Sequence, residues 1–303
     1  MKRLFKLSLF VLIMAIMFIN VGCSSFTGET GTEIIDAKEA LELFNQENVV
    51  VVDAQNSEGY LYNHVKNSIN ISRSDIVINE PVPNLLAPKQ QIEEVMGSKG
   101  ISNNSTVVIY DNNNNMDSAR LWWSLKVYGH ENVKVVSGGI KALVNAGAEM
   151  TKELPSIEPV QYLAKDKNTD MIATVEDVKS QINDPKKNVM LLDTRSQEEY
   201  DAGTIPSSIL INYVDNNHED GTYKSVSDIQ AMYLDAGLIP EDTAIMYCKT
   251  SIRGAQTYLA LYNAGYRNLK LYDGAWVQWS KDTSLPVQMP DNSEVEINQQ
   301  DNS

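Results

Sequence analysis

The chain has 303 residues, 43% of them hydrophobic and 21% charged, a composition that fits a folded globular protein of about two domains. Its formal charge is −15, and setting aside an amino-terminal segment with Lys2, Arg3 and Lys6 leaves 22 basic residues against 40 acidic ones, a formal −18. This balance argues against nucleic acid as a partner, because binding a polyphosphate rests on clustered cations. Small anions stay open, since a pocket can be locally positive inside an acidic protein.

Residues 1–23 read as a signal peptide, with a basic start followed by an apolar run over 7–19 broken only by Ser8. The run is short for a membrane span. It leads into Asn20-Val21-Gly22-Cys23-Ser24-Ser25, which is similar to the bacterial lipobox, where a small residue precedes a cysteine that is diacylated and becomes the new amino terminus. Asn20 departs from the usual leucine. On this reading Cys23 tethers an extracytoplasmic protein to a bacterial membrane, two acyl chains being enough for stable attachment. Cys248 is then the one remaining cysteine, without an intramolecular partner.

The mature chain runs through one plan twice. An amphipathic stretch (37–45) precedes the apolar run Val49-Val50-Val51-Val52-Asp53; a second (175–182) precedes Val189-Met190-Leu191-Leu192-Asp193. Short apolar segments follow at 65–71 and 205–212. Next come Thr106-Val107-Val108-Ile109-Tyr110-Asp111 and Thr243-Ala244-Ile245-Met246-Tyr247-Cys248, each leading into a helical pattern, and a last strand and glycine turn close each copy at 133–139 and 269–274. The offset of about 137 to 140 residues is one α/β domain. Strands alternating with helices predict a mostly parallel sheet flanked by helices in each copy. The domains are placed at 24–158 and 170–290, joined by a linker at 159–169 within a proline-bearing segment of mixed charge. The polar stretch 291–303 reads as a disordered tail.

The strongest chemical signal is Tyr247-Cys248-Lys249-Thr250-Ser251-Ile252-Arg253-Gly254, an apolar strand feeding a polar loop that runs into a helix over about 253–263. Backbone N–H groups at such a helix start lack helical partners, the helix dipole favours an anion, and Lys249 and Arg253 add positive charge. Together they favour a reactive sulfur at Cys248 over an inert buried thiol. His64, His130 and His218 have no metal-ligand spacing. Asp111, Asn113, Asn115 and Asp117 alternate like a calcium loop, but Met116 replaces the turn glycine and Trp122 the closing Glu. Neither a metal nor a cofactor is expected.

The sequence resembles the rhodanese family, specifically its two-domain thiosulfate or 3-mercaptopyruvate sulfurtransferases, over nearly the whole mature chain. The resemblance rests on Ala119-Arg120-Leu121-Trp122-Trp123, Tyr128-Gly129-His130 and Ser137-Gly138-Gly139 in the first copy. In the second it rests on Asp193-Thr194-Arg195, Glu198-Glu199-Tyr200, the cysteine loop, and Tyr272-Asp273-Gly274-Ala275-Trp276. It implies tandem rhodanese-like α/β domains in which Cys248 carries sulfane sulfur as a persulfide from a small anionic donor to a thiophilic acceptor such as cyanide or a thiol. It further implies that Arg195, Lys249 and Arg253 bind the donor, that Thr250, Ser251 and Ile252 complete the active loop, and that Asp111 marks an inactive first domain. Ser251 stands where relatives have glycine, so a position needing positive φ is strained or the cradle reshaped. That departure keeps open a module that binds sulfur compounds or a partner without turnover. Phosphatases or arsenate reductases of the related fold are a weaker alternative, because their larger substrate takes Cys-x5-Arg and this chain has Cys-x4-Arg.

Overall fold

The structure, a computed structural model, describes Phe26 and residues 28–290. The signal segment, Cys23 and the 291–303 tail lie outside the described residues. Among the described residues no helix is long and apolar enough to cross a membrane.

Two five-stranded sheets share one topology. The first holds β1 (Ile34–Ile35), β2 (Val49–Asp53), β3 (Ile69–Asn70), β4 (Thr106–Tyr110) and β5 (Val133–Val136) in the order β1-β5-β4-β2-β3, every pair parallel. The second repeats it with β6 (Ile172–Ala173), β7 (Val189–Asp193), β8 (Ile209–Leu210), β9 (Thr243–Tyr247) and β10 (Leu269–Tyr272) in the order β6-β10-β9-β7-β8. Valine, isoleucine and leucine dominate β2, β4 and β7, and β9 is apolar after Thr243, because helices cover both faces of a parallel sheet and leave no solvent side for polar residues. The helices are α1 (Ala37–Leu43), α2 (Ser57–Tyr62), α3 (Lys89–Ser98), α4 (Met116–Val127) and α5 (Gly139–Asn145) in the first domain. Their counterparts are α6 (Val175–Asn183), α7 (Gln197–Asp201), α8 (Val226–Asp235), α9 (Ile252–Asn263) and α10 (Ala275–Lys281).

The domains meet through α4 and α9, the helices that follow the two central strands. Trp122 and Trp123 are fully buried on α4, and Trp122 sets its ring edge-on to Tyr262 of α9 at 5.3 Å between centroids. One hydrophobic cluster runs through both domains, from Val107 and Ile109 to Ala244 and Met246. A shared apolar core of this kind holds the two loops at the ends of β4 and β9 in fixed relation.

The segment expected to be a linker is strapped along the first domain. Val160 N–H donates to Gly97 O (2.9 Å), Lys165 N–H to Tyr128 O (2.9 Å) and Asn168 N–H to Val127 O (2.9 Å), while Tyr162 and Ala164 are buried. Its proline and charge content marked irregular backbone but not where that backbone would dock.

Candidate active site

Cys248 is the first residue after β9 and is 1% exposed. The strand end beneath it is rigid. The Tyr247 hydroxyl sits within 2.8 to 3.1 Å of Thr204 Oγ1, Ser208 Oγ, Asp193 Oδ2 and the Ile205 N–H. Past the sulfur, the Cys248 carbonyl accepts from Trp276 N–H (2.9 Å) and the Lys249 carbonyl from Val277 N–H (3.1 Å), so the turn before α10 clamps the loop. Among the described residues, the backbone N–H groups of 249–253 donate to no protein acceptor. Helix α9 starts at Ile252 with Ser251 as its cap residue at φ 64°, the left-handed region that costs a side-chain-bearing residue about 1 kcal/mol or more. The strained position anticipated for Ser251 is therefore real, and the chain accepts it.

The three cations differ in what they are free to do. Lys249 is exposed and has no acidic partner among the described residues. Arg253, the second residue of α9, grips Glu199 with both ends of its fork, Nη2 to Oε1 at 2.8 Å and Nη1 to Oε2 at 2.5 Å. That contact holds the Glu199 carboxyl down to about 2, against a smaller upward push from burial. Burial disfavours the Arg253 charge, but Glu199 and the neighbouring Cys248 sulfur outweigh it and raise its pKa.

Arg195 is placed differently from the expectation that it meets the donor. It is 2% exposed, its Nε and Nη2 bond the Asp193 carboxylate at 2.6 to 3.0 Å, and Nη2 also donates to Gly203 O (2.7 Å). Trp276 stacks on its face at 4.4 Å. With its charge neutralised two residues away and Nε and Nη2 engaged, Arg195 braces β7 against the α10 turn, and among the described residues Nη1 alone of its side-chain nitrogens makes no hydrogen bond. Thr250 lies half-buried with its Oγ1 accepting from Asn84 Nδ2 of the first domain (3.1 Å), and Ile252 is buried.

The equivalent loop of the first domain is one residue longer, since α4 is capped by Asn115 four residues after Asp111 and α9 by Ser251 three residues after Cys248. Asp111 is 1% exposed and accepts from the N–H groups of Asn113 (2.9 Å), Asn115 (3.1 Å) and Ser118 (2.8 Å), and from Ser118 Oγ. Its carboxylate thus takes up the donors of its own loop. Burial pushes the Asp111 carboxyl up, partly offset by those bonds. A polar cavity of about 480 Å³ lies beside this loop, walled by Arg73, Asn84, Asn112 and Asn113 among others. The calcium-like alternation serves other ends, with Asp117 paired to Arg73 at 2.6 Å and Asn115 Nδ2 donating to Gly221 O of the second domain (2.8 Å).

The family described as "Rhodanese-like domain" matches residues 36–146 and 174–282, one match on each sheet. The chain belongs to the rhodanese-like family. Among curated relatives, a protein named "Putative thiosulfate sulfurtransferase" in Haloferax volcanii is 31% identical over 256 residues, covering 79% of this chain and 88% of its own. "Sulfur carrier protein TtuD" of Thermus thermophilus is 30% identical over 226 residues, covering 69% and 79%. Of solved structures, the anaerobic ergothioneine biosynthesis enzyme from Chlorobium limicola, in complex with trimethyl histidine, superposes with a TM-score of 0.76 at 19% identity, covering 86% of this chain and 71% of that one. At that identity the likeness is one of fold. The tandem rhodanese-like architecture is thereby shown, and a rhodanese-fold enzyme of the sulfur-transfer or persulfide type is what it supports.

Sequence reasoning did not single out Glu199 or Asp273, although both stand inside motifs it quoted. Nor did it give Arg120 a role. The available signal was Arg120 itself, a cation amid the apolar Leu121-Trp122-Trp123 on a helix that had to be buried.

Proposed function

We propose that the chain is a sulfurtransferase in which Cys248 accepts sulfane sulfur from thiosulfate or 3-mercaptopyruvate and passes it to cyanide or a thiol. The observation that carries this is the run of backbone donors at 249–253 without a protein acceptor among the described residues, directly after a buried cysteine. With thiosulfate, the Cys248 thiolate attacks the outer sulfur; the donor's S–S bond breaks and sulfite leaves with the electron pair. The persulfide left on Cys248 carries negative charge on its terminal sulfur, which the backbone donors stabilise. Attack on that sulfur by the acceptor returns the thiolate. Lys249, exposed and unpaired, steers the anionic donor, whereas Arg195 holds the scaffold and Arg253 sets the local charge beside the sulfur. The first domain, with a carboxylate in the cysteine's place, does not transfer sulfur. Delivery to a membrane surface through a lipid on Cys23 belongs to the same proposal.

Burial of Cys248 favours one second reading, a carrier that shields its persulfide until a protein acceptor docks. Both readings require the persulfide. Incubation with each donor should add the mass of one sulfur to the protein and cyanide should remove it, whereas Cys248→Ser should melt like wild type and take up none, a hydroxyl being no sulfur carrier. Turnover by Cys248→Ser at the wild-type rate removes the assignment. A persulfide reactive with protein thiols but not with cyanide selects the carrier reading.

A further inference from the structure

Arg120 is fully buried in the first domain, yet its polar contacts converge on the catalytic loop of the second. Its Nη1 donates to Ser251 Oγ (3.1 Å), and its Nη2 donates to Asp273 Oδ1 (2.8 Å) and to Asn84 O (2.8 Å). Ser251 Oγ also lies 3.1 Å from Asp273 Oδ1 and 2.7 Å from Thr250 O. The other oxygen of Asp273 accepts from Leu86 N–H of the first domain (2.8 Å), and Asn84 reaches Thr250. Three residues past Asp273, Trp276 N–H binds the Cys248 carbonyl. The first domain therefore holds Thr250 and Ser251 directly and reaches the Cys248 end through the Asp273–Trp276 turn of the second domain.

A guanidinium with no solvent contact is costly to bury, and among the described residues Nε of Arg120 has no hydrogen-bond partner. Packing does not explain it, because Gln256, the residue at the same place on α9, is also fully buried and carries no charge. Arg120 also rests over the Trp123 ring at 4.6 Å, which fixes the direction of the fork. A planar fork is the group that can meet a hydroxyl, a carboxylate and a carbonyl at fixed angles at once.

We propose that Arg120 is a positioning residue that sets the persulfide-binding loop from the other domain, and that Ser251 takes a strained left-handed conformation in order to offer its hydroxyl to Arg120. This rests on the sulfurtransferase reading of Cys248 for its functional meaning. The first domain, unable to carry sulfur, thereby acts on the reaction through one side chain. Ser251 is the sharper handle on this arrangement, since glycine relieves the backbone while deleting the bond.

Three variants test it, each first checked by thermal melting. Ser251→Gly should melt at or above the wild-type temperature, yet amide hydrogen exchange at Ala255, Trp276 and Val277, whose N–H groups donate to the Ser251, Cys248 and Lys249 carbonyls, should accelerate about tenfold or more, with exchange in β7 and β9 unchanged. Transfer from thiosulfate should fall in kcat more than it rises in KM, because the loop is held less well in the transition state. Arg120→Lys should recover part of the protection that Arg120→Gln loses. If Arg120→Gln does not fold, Ser251→Gly and Arg120→Lys decide. Wild-type exchange at Ala255, Trp276 and Val277 in Ser251→Gly overturns the latch whatever the activity. Faster exchange in a protein whose wild type forms no persulfide leaves the latch standing and removes the sulfurtransferase reading. Turnover in Ser251→Gly equal to or above wild type, with a loosened loop, overturns the claim that the latch serves transfer.

Discussion

Asp111 and Cys248 stand at the same place in two copies of one fold, and the loops behind them solve the same electrostatic problem in opposite ways. Each loop presents backbone donors at the start of a helix. In the first domain an aspartate carboxylate accepts from Asn113, Asn115 and Ser118, so the charge those donors favour is part of the chain. In the second, 249–253 find no protein acceptor among the described residues, which on the proposed function leaves the donors for a charge that comes and goes on the cysteine sulfur. The flanking charges follow the same logic. The second residue of α4 is Asp117, paired with Arg73, and the second residue of α9 is Arg253, paired with Glu199. The duplicated fold keeps its architecture in both halves, and only the first half satisfies these loop donors with its own carboxylate.

The buried carboxylates at the ends of β2 and β7 sharpen the contrast. Asp193 has Arg195 two residues on; Asp53 has Gln55 there, and burial lifts the Asp53 carboxyl to about 6. The largest effect is therefore expected from giving the second domain the first domain's solution. Arg195→Gln leaves Asp193 buried without its cation and should destabilise the protein by about 3–5 kcal/mol. Denaturant unfolding measures it. A loss confined to the KM for the donor, with stability intact, returns Arg195 to the donor site.

Next in size is the exchange of roles at the loop itself. Asp111→Ala strips three backbone donors of their acceptor and should cost ~2–4 kcal/mol, reduced by the penalty of burying the carboxylate that is thereby removed. Cys248→Ala, at the equivalent place, should change stability by less than about 1 kcal/mol while abolishing transfer, for no donor loses a partner there. Equal stability losses at the two positions would falsify the view that one loop is satisfied internally and the other is not.

Asp53 gives a smaller and pH-dependent effect. Its folded-state pKa lies above its ordinary value, so folding favours the protonated acid, and stability drains away as pH rises from about 3.8 to about 6. Asn does not titrate. The melting difference between Asp53→Asn and wild type should therefore move in the variant's favour across that window, by at most about 3 kcal/mol. A difference independent of pH shows that burial does not raise the Asp53 carboxyl.

The duplication, the parallel sheets, the cysteine loop and the aspartate in its counterpart were all legible because each is written locally, as an apolar run followed by a polar loop at a repeated offset. The extra residue in the first domain's loop emerged only from the helix starts, where the offset is 136 at α4 and α9 against 137 at β4 and β9. Arg195 shows where local reading stops. Its partner Asp193 was in plain view two residues away, yet only a three-dimensional arrangement could show Trp276 and Gly203 completing the brace. Arg120 lay further out of reach, since two of its three hydrogen-bond partners are 131 and 153 residues distant and belong to the other domain.

The smallest expected effect concerns the reversed ion pair. Arg253 holds the Glu199 carboxyl down to about 2, and both side chains keep some solvent contact, so the pair is worth no more than about 1 kcal/mol after screening. A depressed carboxylate stabilises the fold fully above its unfolded pKa, and the contribution fades as pH falls through the folded one. Glu199→Gln should therefore melt slightly below wild type at pH 6, with the gap intact down to the ordinary carboxylate range near 4.5 and closing toward pH 2. The variant also leaves the Arg253 cation without its acidic partner beside Cys248, which should raise the rate at which an anionic alkylating agent reacts with the sulfur more than the rate of a neutral one. Equal acceleration of both reagents points to loosened access, and then the ion pair matters as packing and not as charge.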